Sequence, residues 1–293
     1  MPNILITGAT GYIGAHLCKR LKQQLPSANI LAVDMRTDQN NVDAYVNKTI
    51  QCDLSNAQQF KNSGLTITHF DTIVHLAAFA AIEQSVRFPT RYYLNNVLST
   101  INLLSLDYSH FVFASTGSAF TPTNPYSFSK IACENIVTEH AVAKKTIFRF
   151  FNVSGMDSEF KQFGEPTHLI RRAALAAVGK IPKLTIFGTD WNTKDGTTLR
   201  DYTHVNDICD SIINAVKMGP SDMAVDCLGP SIGYTVREVI ETMKAVAGVD
   251  FLVEDGPRRA GDFEHSVCVS QYKYIVTNNT LQDMCRSAFE AAK

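Results

Sequence analysis

The chain has 293 residues, with 27 Lys and Arg against 28 Asp and Glu and 45% apolar residues. That length buries one large core or two smaller ones. The balanced charge, without a basic block, argues against a nucleic-acid or anionic-membrane partner, and no apolar run reaches the length of a membrane span.

The first apolar run, Asn3-Ile4-Leu5-Ile6-Thr7, reads as a strand. It enters Gly8-Ala9-Thr10-Gly11-Tyr12-Ile13-Gly14 and a helical stretch over 12–25. A second strand, 29–34, closes on Asp34. Glycine has no Cβ, so a phosphate can approach the backbone, and the following helix N-terminus offers free N–H groups to a pyrophosphate. Asp34, twenty residues past Gly14, is placed to accept the hydroxyls of an adenosine ribose. A glycine-rich structural turn is the plain alternative, and the strand–turn–helix context with a correctly spaced acid argues against it. Asp34 would also repel a ribose 2′-phosphate, which favours NAD over NADP; Arg36 is then a solvated loop residue.

Further strands are expected at 47–51, 71–76, 110–115 and 145–150, alternating with helices over 55–62, 88–106 and 126–143. Thr72-Ile73-Val74 and Phe111-Val112-Phe113 are apolar throughout, as strands covered on both faces are. The alternation predicts an α/β fold with a doubly wound parallel sheet. After Asn152 the pattern loosens: a loop over 154–167, a helix over 168–180, a strand over 183–187, a polar turn over 190–196, helices over 203–218 and 235–247, and a short strand over 249–254. The chain begins directly on its first strand, without a basic and apolar leader, so no signal peptide is expected. Seven scattered cysteines without a C-x-x-C pair read as reduced thiols in a cytoplasmic compartment. The eight histidines show no ligand spacing, so no metal is expected.

Tyr126-Ser127-Phe128-Ser129-Lys130 follows Pro125 at a helix start. Positions i and i+4 share a helix face, so the phenol and the ammonium can serve one cleft. A nearby cation lowers a phenol's pKa and would make Tyr126 a general base. Ser115 and Thr116 end the preceding strand at its carboxyl edge, where ligands sit in such sheets, and the Thr116 hydroxyl could orient a substrate proton. The Y-x-x-x-K spacing alone is common; its position after the fifth strand of a dinucleotide fold gives it weight.

Together with Asp53-Leu54, His75-Leu76-Ala77-Ala78, Tyr92 to Val97, Arg149-Phe150-Phe151-Asn152, Ile186-Phe187-Gly188, Asp195-Gly196-Thr197, Arg200 to Val205 and Pro257 to Asp262, these residues carry a resemblance. The chain resembles the extended short-chain dehydrogenase/reductases, and among them the UDP-hexose 4-epimerases, over nearly its whole length. The resemblance implies a Rossmann-type NAD domain over 1–152 and about 203–228, and a smaller α/β nucleotide-sugar domain over about 153–202 and 229–293. It implies an NAD site of Gly8, Gly11, Tyr12, Ile13, Gly14, Asp34, Asp53, Leu54, Leu76, Ala77, Ala78, Asn96, Tyr126, Lys130 and Phe151, with Asp53 and Leu54 beside the adenine. Ser115, Thr116, Tyr126 and Lys130 would be catalytic. Asn152, His168, Leu169, Phe187, Arg200, Arg258 and Asp262 would hold a UDP-sugar, the two arginines gripping the diphosphate. It implies a homodimer through the helices over 88–106 and 126–143, using Val97, Ile101, Leu104, Ile131 and Ile136, which could equally face the protein's own core.

The chain departs from the family pattern in its nine-residue loop between Thr116 and Tyr126, which opens the sugar pocket, and in Phe79-Ala80-Ala81, where a lysine is common. Phe150 stands in place of a familiar tyrosine, and the early end leaves the terminal helix short or absent. Ser266 is small at a position that would limit a substituent at C2 of the sugar, so N-acetyl sugars are expected to fit. Two other activities of the superfamily remain: a 4,6-dehydratase, disfavoured because Gly117 and Ser118 stand where an acid would act, and a 4-ketoreductase with exchanging cofactor. A catalytically silent NAD-binding sensor is the alternative from another class.

Overall fold

The computed structural model describes residues 1–141, 144–219, 225–259, 262–269 and 275–293. In chain order it begins β1 (Asn3–Thr7), α1 (Tyr12–Gln24), β2 (Asn29–Asp34), β3 (Lys48–Gln51), α2 (Ala57–Asn62), β4 (His69–His75), α3 (Ile82–Arg87), α4 (Pro89–Leu104), β5 (Asp107–Thr116), α5 (Pro125–Glu139) and β6 (Lys144–Phe150). It continues β7 (Asn152–Ser154), α6 (Leu169–Ala177), β8 (Leu184–Phe187), β9 (Leu199–His204), α7 (Val205–Met218), β10 (Val225–Leu228), β11 (Gly233–Thr235), α8 (Val236–Ala247), β12 (Val253–Gly256), β13 (His265–Ser266) and α9 (Leu281–Ala292).

The chain divides into two units, one of residues 1–149 with 209–226 and one of 150–208 with 227–293. The first carries a sheet in the order β10-β6-β5-β4-β1-β2-β3. The β1–β2, β2–β3, β1–β4 and β4–β5 pairs are all parallel. This is the expected doubly wound sheet, and its strand order reverses between β1 and β4. At that point the carboxyl ends of two neighbouring strands diverge and leave a crevice for a ligand. Ile4, Leu5, Ile6, Ile73, Phe111 and Phe113 are fully buried, so these strands are covered on both faces. Each such side chain contributes roughly 1.5–3 kcal/mol on burial.

The second unit has its own core, in which Ile170, Ala173, Leu184, Ile186, Val239, Met243, Met284 and Cys285 pack together. Its β9 lies at the centre of a small sheet, paired with β7, β11 and β13. The sequence pattern gave no strand there because Arg200, Asp201, Thr203 and His204 are polar. A short terminal helix, or none, was also expected. Instead α9 runs for 12 residues, started by a reciprocal Thr280–Asp283 capping box and packed in the second core through Leu281, Met284 and Cys285.

Asp201 is fully buried on β9. Its Oδ2 accepts from the Ser231 and Cys268 amides at 3.1 Å each, while Oδ1 has no partner among the described residues. Burial pushes its carboxyl up to about 7 against these backbone hydrogen bonds.

The apolar residues expected to serve a dimer divide differently. Leu104 is buried, and Val97 and Ile136 pack against the first core. Only Ile101 of that set is strongly exposed; Tyr93, Leu94 and Leu98 join it on α4, with Phe128 on α5.

Candidate active site

In the first unit, β1 ends at Thr7 and the backbone turns at Gly8, whose φ of +67° favours glycine. A Cβ on Gly8 would lie 2.8 Å from the Ala77 amide nitrogen, just past β4. The Gly11 amide donates to the Gly8 carbonyl at 3.1 Å, and α1 starts at Tyr12. Gly11 caps α1 without a side-chain hydrogen bond, so the first-turn N–H groups are left to a ligand. A Cβ on Gly14 would lie 2.1 Å from the Gly8 carbonyl oxygen. Asp34 is tied to the loop: its Oδ2 accepts from the Thr10 amide at 3.1 Å and its Oδ1 from the Arg36 amide at 3.2 Å. Tyr12 sets its ring edge-on to His16, and the Ile13 carbonyl accepts from Cys209 Sγ at 3.8 Å.

Behind the turn, His75 is buried between two hydroxyls, with Nδ1 2.8 Å from Thr7 Oγ1 and Nε2 3.1 Å from Thr100 Oγ1. Burial and the Lys130 charge hold its imidazole well below the usual range, so it is neutral. The Leu76 and Ala77 amides donate to Thr7, at 3.3 Å to its carbonyl and 3.2 Å to its hydroxyl, and carry the chain to Ala78. Asn96 clamps the next residues. Its Oδ1 accepts from the Phe79 amide at 2.8 Å, and its Nδ2 donates to the Phe79 carbonyl at 3.1 Å and Ser129 Oγ at 3.0 Å. Ser129 in turn donates to the Tyr126 carbonyl at 2.7 Å. Phe79, where a lysine was the family expectation, lies under the Arg91 guanidinium at 4.7 Å. Asp53 Oδ1 accepts from the Ser55 amide and hydroxyl. The Leu54 side chain lies in the first core, and its carbonyl accepts from Asn102 Nδ2 at 2.7 Å.

Asn124 caps α5 by accepting from the Ser127 amide at 3.0 Å, and Pro125 occupies the first helical turn. This start places Tyr126 and Lys130 one turn apart. Ser118, singled out by its sequence position only as lacking the acid of a dehydratase, joins the site: its hydroxyl lies 3.0 Å from Thr116 Oγ1 and 2.9 Å from Ser127 Oγ. Thr116 also hydrogen-bonds the Tyr126 phenol.

The electrostatics correct one expectation. Tyr126 was expected to be acidified by Lys130. Although its surface is only half-buried, the protein packed around it pushes its phenol up to about 12, against the pull of the Thr116 hydrogen bond. Desolvation penalises the phenolate more than the neighbouring groups favour it. Lys130, 3% exposed and 4.1 Å over the Phe113 ring, is drawn down to about 8 by burial, with Cys133 and Glu134 opposing. A second correction concerns Ser115. Neighbouring strand residues face opposite sides of a sheet, and the Ser115 hydroxyl donates to Glu134, not to the Thr116–Tyr126 group.

The second unit holds Phe151 and Asn152, whose Nδ2 donates to the Asp201 carbonyl at 2.9 Å. His168 is exposed at the N-cap of α6, and Leu169 follows it, packed against the second core. Phe187 ends β8 with the Arg259 guanidinium 3.8 Å over its ring. Arg258 stacks 3.9 Å over Trp191, the chain's single tryptophan, and its Nε donates to Asp190 at 2.7 Å. Trp191 had no role in the sequence pattern because only folding brings Arg258 to it. Arg200 pairs with Asp262 at 2.5 Å and donates to the Phe263 carbonyl at 2.6 Å. Ala260 and Gly261, between these residues, lie outside the described residues.

A doubly wound sheet, a glycine turn into a helix, an acid at the end of β2 and a Thr/Tyr/Lys set after β5 define a dinucleotide-dependent enzyme of the short-chain dehydrogenase/reductase type. The profile of the NAD dependent epimerase/dehydratase family matches residues 4–225, and the chain belongs to that family. A UDP-glucose 4-epimerase from Lactobacillus helveticus is 33% identical over 286 residues, covering 88% of this chain and 86% of that protein. The UDP-Glc/GlcNAc 4-epimerase of Campylobacter jejuni superposes with a TM-score of 0.84 at 32% identity, covering 100% of this chain and 99% of the other. The Bifidobacterium longum UDP-glucose 4-epimerase, solved with NAD+ and UDP, gives 0.88 at 25% identity, over 99% and 97%.

Proposed function

We propose that the protein is an NAD-dependent epimerase that inverts C4 of a UDP-hexose, UDP-glucose and UDP-galactose foremost, through a transient 4-keto sugar. The observation that carries this reading is the Thr116–Tyr126 hydrogen bond with Lys130 one helical turn on. The relatives named as 4-epimerases support it. The residues fit NAD: the Gly8 turn is shaped where a Cβ would strike the Ala77 backbone, and Asp34 favours a free ribose 2′-hydroxyl. When bound, NAD supplies the acceptor and donor of the C4 hydride.

Tyr126 takes the proton of the sugar 4-hydroxyl and returns it once the opposite face has reacted. The Thr116 hydroxyl favours its phenolate form, against the burial that favours the neutral phenol. Gly117 begins a short turn, and the hydroxyl chain Thr116–Ser118–Ser127 continues without a carboxylate, which disfavours a 4,6-dehydratase. Arg200 and Arg258 bind the diphosphate, Phe187 packs on the uracil, Asp262 takes the uridine ribose, and Asn152, His168 and Leu169 line the remainder. On this reading the first unit is the NAD domain and the second the nucleotide-sugar domain.

Ser266 is small and half-buried on β13, which supports acceptance of N-acetyl sugars; the Campylobacter relative is named for both sugars. The apolar strip on α4 supports a homodimer. The seven free, buried cysteines support a cytoplasmic protein.

The test is Tyr126→Phe, assayed for UDP-galactose to UDP-glucose conversion. The expected result is a loss of about 100-fold or more, with NAD still recovered from the denatured protein. Turnover at the wild-type rate rejects the role of this tyrosine.

A further inference from the structure

One buried charged cluster in the first unit has no part in the scheme above. Glu134 is 4% exposed on α5, two turns past Tyr126 and one turn past Lys130. Arg149 on β6 grips it in a two-point fork, Nε to Oε1 at 2.9 Å and a terminal nitrogen to Oε2 at 2.6 Å. Ser115, at the end of β5, donates to the same carboxylate. Arg149 also stacks 4.5 Å over Phe120, in the loop between Thr116 and Tyr126.

We infer that Glu134, fixed by Arg149 and Ser115, is a positioning residue that supplies the counter-charge keeping the Lys130 ammonium in the catalytic set. The inference rests on the role of Lys130 given above. Residues four apart on a helix are neighbours, and an opposite charge at that range favours the ionised form. The titratable and charged groups around Lys130 are Tyr126, Cys133 and Glu134 on its own helix, His75 at the end of β4, Arg149 on β6, and Tyr92 on α4 beside Tyr126. His75 is neutral, and burial holds the Cys133 thiol and the tyrosine phenols in their protonated, neutral forms. Among the described residues Glu134, held in the Arg149 fork, is therefore the anion of the group and Arg149 the second cation. Burial draws Lys130 down to about 8, close to neutral pH, so a small change in this balance alters how much ammonium is present.

The arrangement makes a prediction of sign. Glu134→Gln leaves Arg149 as an uncompensated positive charge and disfavours the ammonium. Arg149→Gln leaves the carboxylate uncompensated and favours it. The experiment titrates Lys130 in the full-length protein by NMR with ¹³C-labelled lysine, assigned with Lys130→Met. The pH profile of kcat/KM for UDP-galactose is recorded in parallel. The midpoint is expected to fall by about one unit in Glu134→Gln, to rise in Arg149→Gln, and to return toward wild type in Glu134→Asp. The alkaline limb of the rate profile follows each shift.

Unmoved midpoints, or midpoints that move the same way in both variants, overturn the inference and leave the cluster a structural ion pair. If Glu134→Gln does not fold, Arg149→Gln decides alone, by a rise or its absence. Opposed NMR shifts in the two variants, of a protein whose wild-type form turns over no UDP-hexose, would uphold the inference and reject the epimerase reading.

Discussion

Gly14→Ala sets two physical effects against each other. Alanine is the better helix former, by about 1 kcal/mol in a helix interior, and Gly14 lies in the first turn of α1 without a positive φ. Propensity alone therefore predicts a more stable protein. The packing predicts the reverse. The added Cβ would lie 2.1 Å from the Gly8 carbonyl oxygen, 2.7 Å from Ala9 Cα and 2.8 Å from the Gly8 carbonyl carbon, where ordinary contact begins at 3.4 Å. All three atoms are backbone, and the Gly11 and Ala15 amides brace the turn by donating to Gly8 and Gly11 at 3.1 and 3.0 Å. Overpacking of this kind costs roughly 1–3 kcal/mol. Moving the turn also misplaces the amides proposed to hold the pyrophosphate, and two charge-assisted hydrogen bonds lost together would weaken NAD by about 3 kcal/mol or ~100-fold. Urea unfolding of the cofactor-free protein and NAD titration by calorimetry separate the two terms. A variant as stable as wild type that binds NAD within threefold would refute the reasoning.

Three further outcomes are expected. Asp201 has a folded pKa of about 7 against an ordinary 3.8, so the folded state keeps a proton that the unfolded chain releases. Its contribution is fully present below the ordinary value and falls by about 1.4 kcal/mol per pH unit up to the folded one. Urea unfolding should show Asp201→Asn comparing better with wild type at pH 8 than at pH 5, and an equal difference at both counts against the buried carboxylate. Leu98→Glu places a charge in the exposed strip of α4 and is expected to give monomers by light scattering while the melting temperature shifts little; an unchanged dimer moves the interface elsewhere. Arg258→Ala removes the cation stacked on Trp191, worth about 0.5–1 kcal/mol at an exposed site. Because Trp191 is the chain's single tryptophan, its emission should shift in that variant, and an unchanged spectrum means the stacking does not persist in solution.

The parts of the fold legible in the sequence are those that local chemistry dictates. β1 and β2 fall where expected because uninterrupted apolar residues meet a glycine turn and a terminal acid. The start of α5 was legible because Asn124 and Pro125 set it. α3 escaped notice: its cap, Ala81, makes no side-chain hydrogen bond, and its apolar Ile82 and Val86 are exposed, so no buried stripe marks it. β12 occupies Val253–Gly256, later than the 249–254 expected, because pairing with β8 from Val253↔Leu184 fixes it. At the site, residue types and spacings were readable, whereas surroundings were not. The raised Tyr126 pKa, the turn of Ser115 toward Glu134 and the pairing of Arg200 with Asp262 all depend on neighbours distant in sequence.

The first unit is assembled from two stretches of chain, 1–149 and 209–226. A ribosome must therefore translate β7, α6, β8 and β9 before the last strand of the seven-stranded sheet exists. Until then β6 is a bare edge with unpaired amides, open to a second nascent chain. A fragment ending near Asn152 would carry every glycine of the turn and the whole Thr/Tyr/Lys set, yet remain a six-stranded sheet prone to sticking to itself. Recombinant dissection of the first unit would therefore have to carry residues 209–226 along with 1–149.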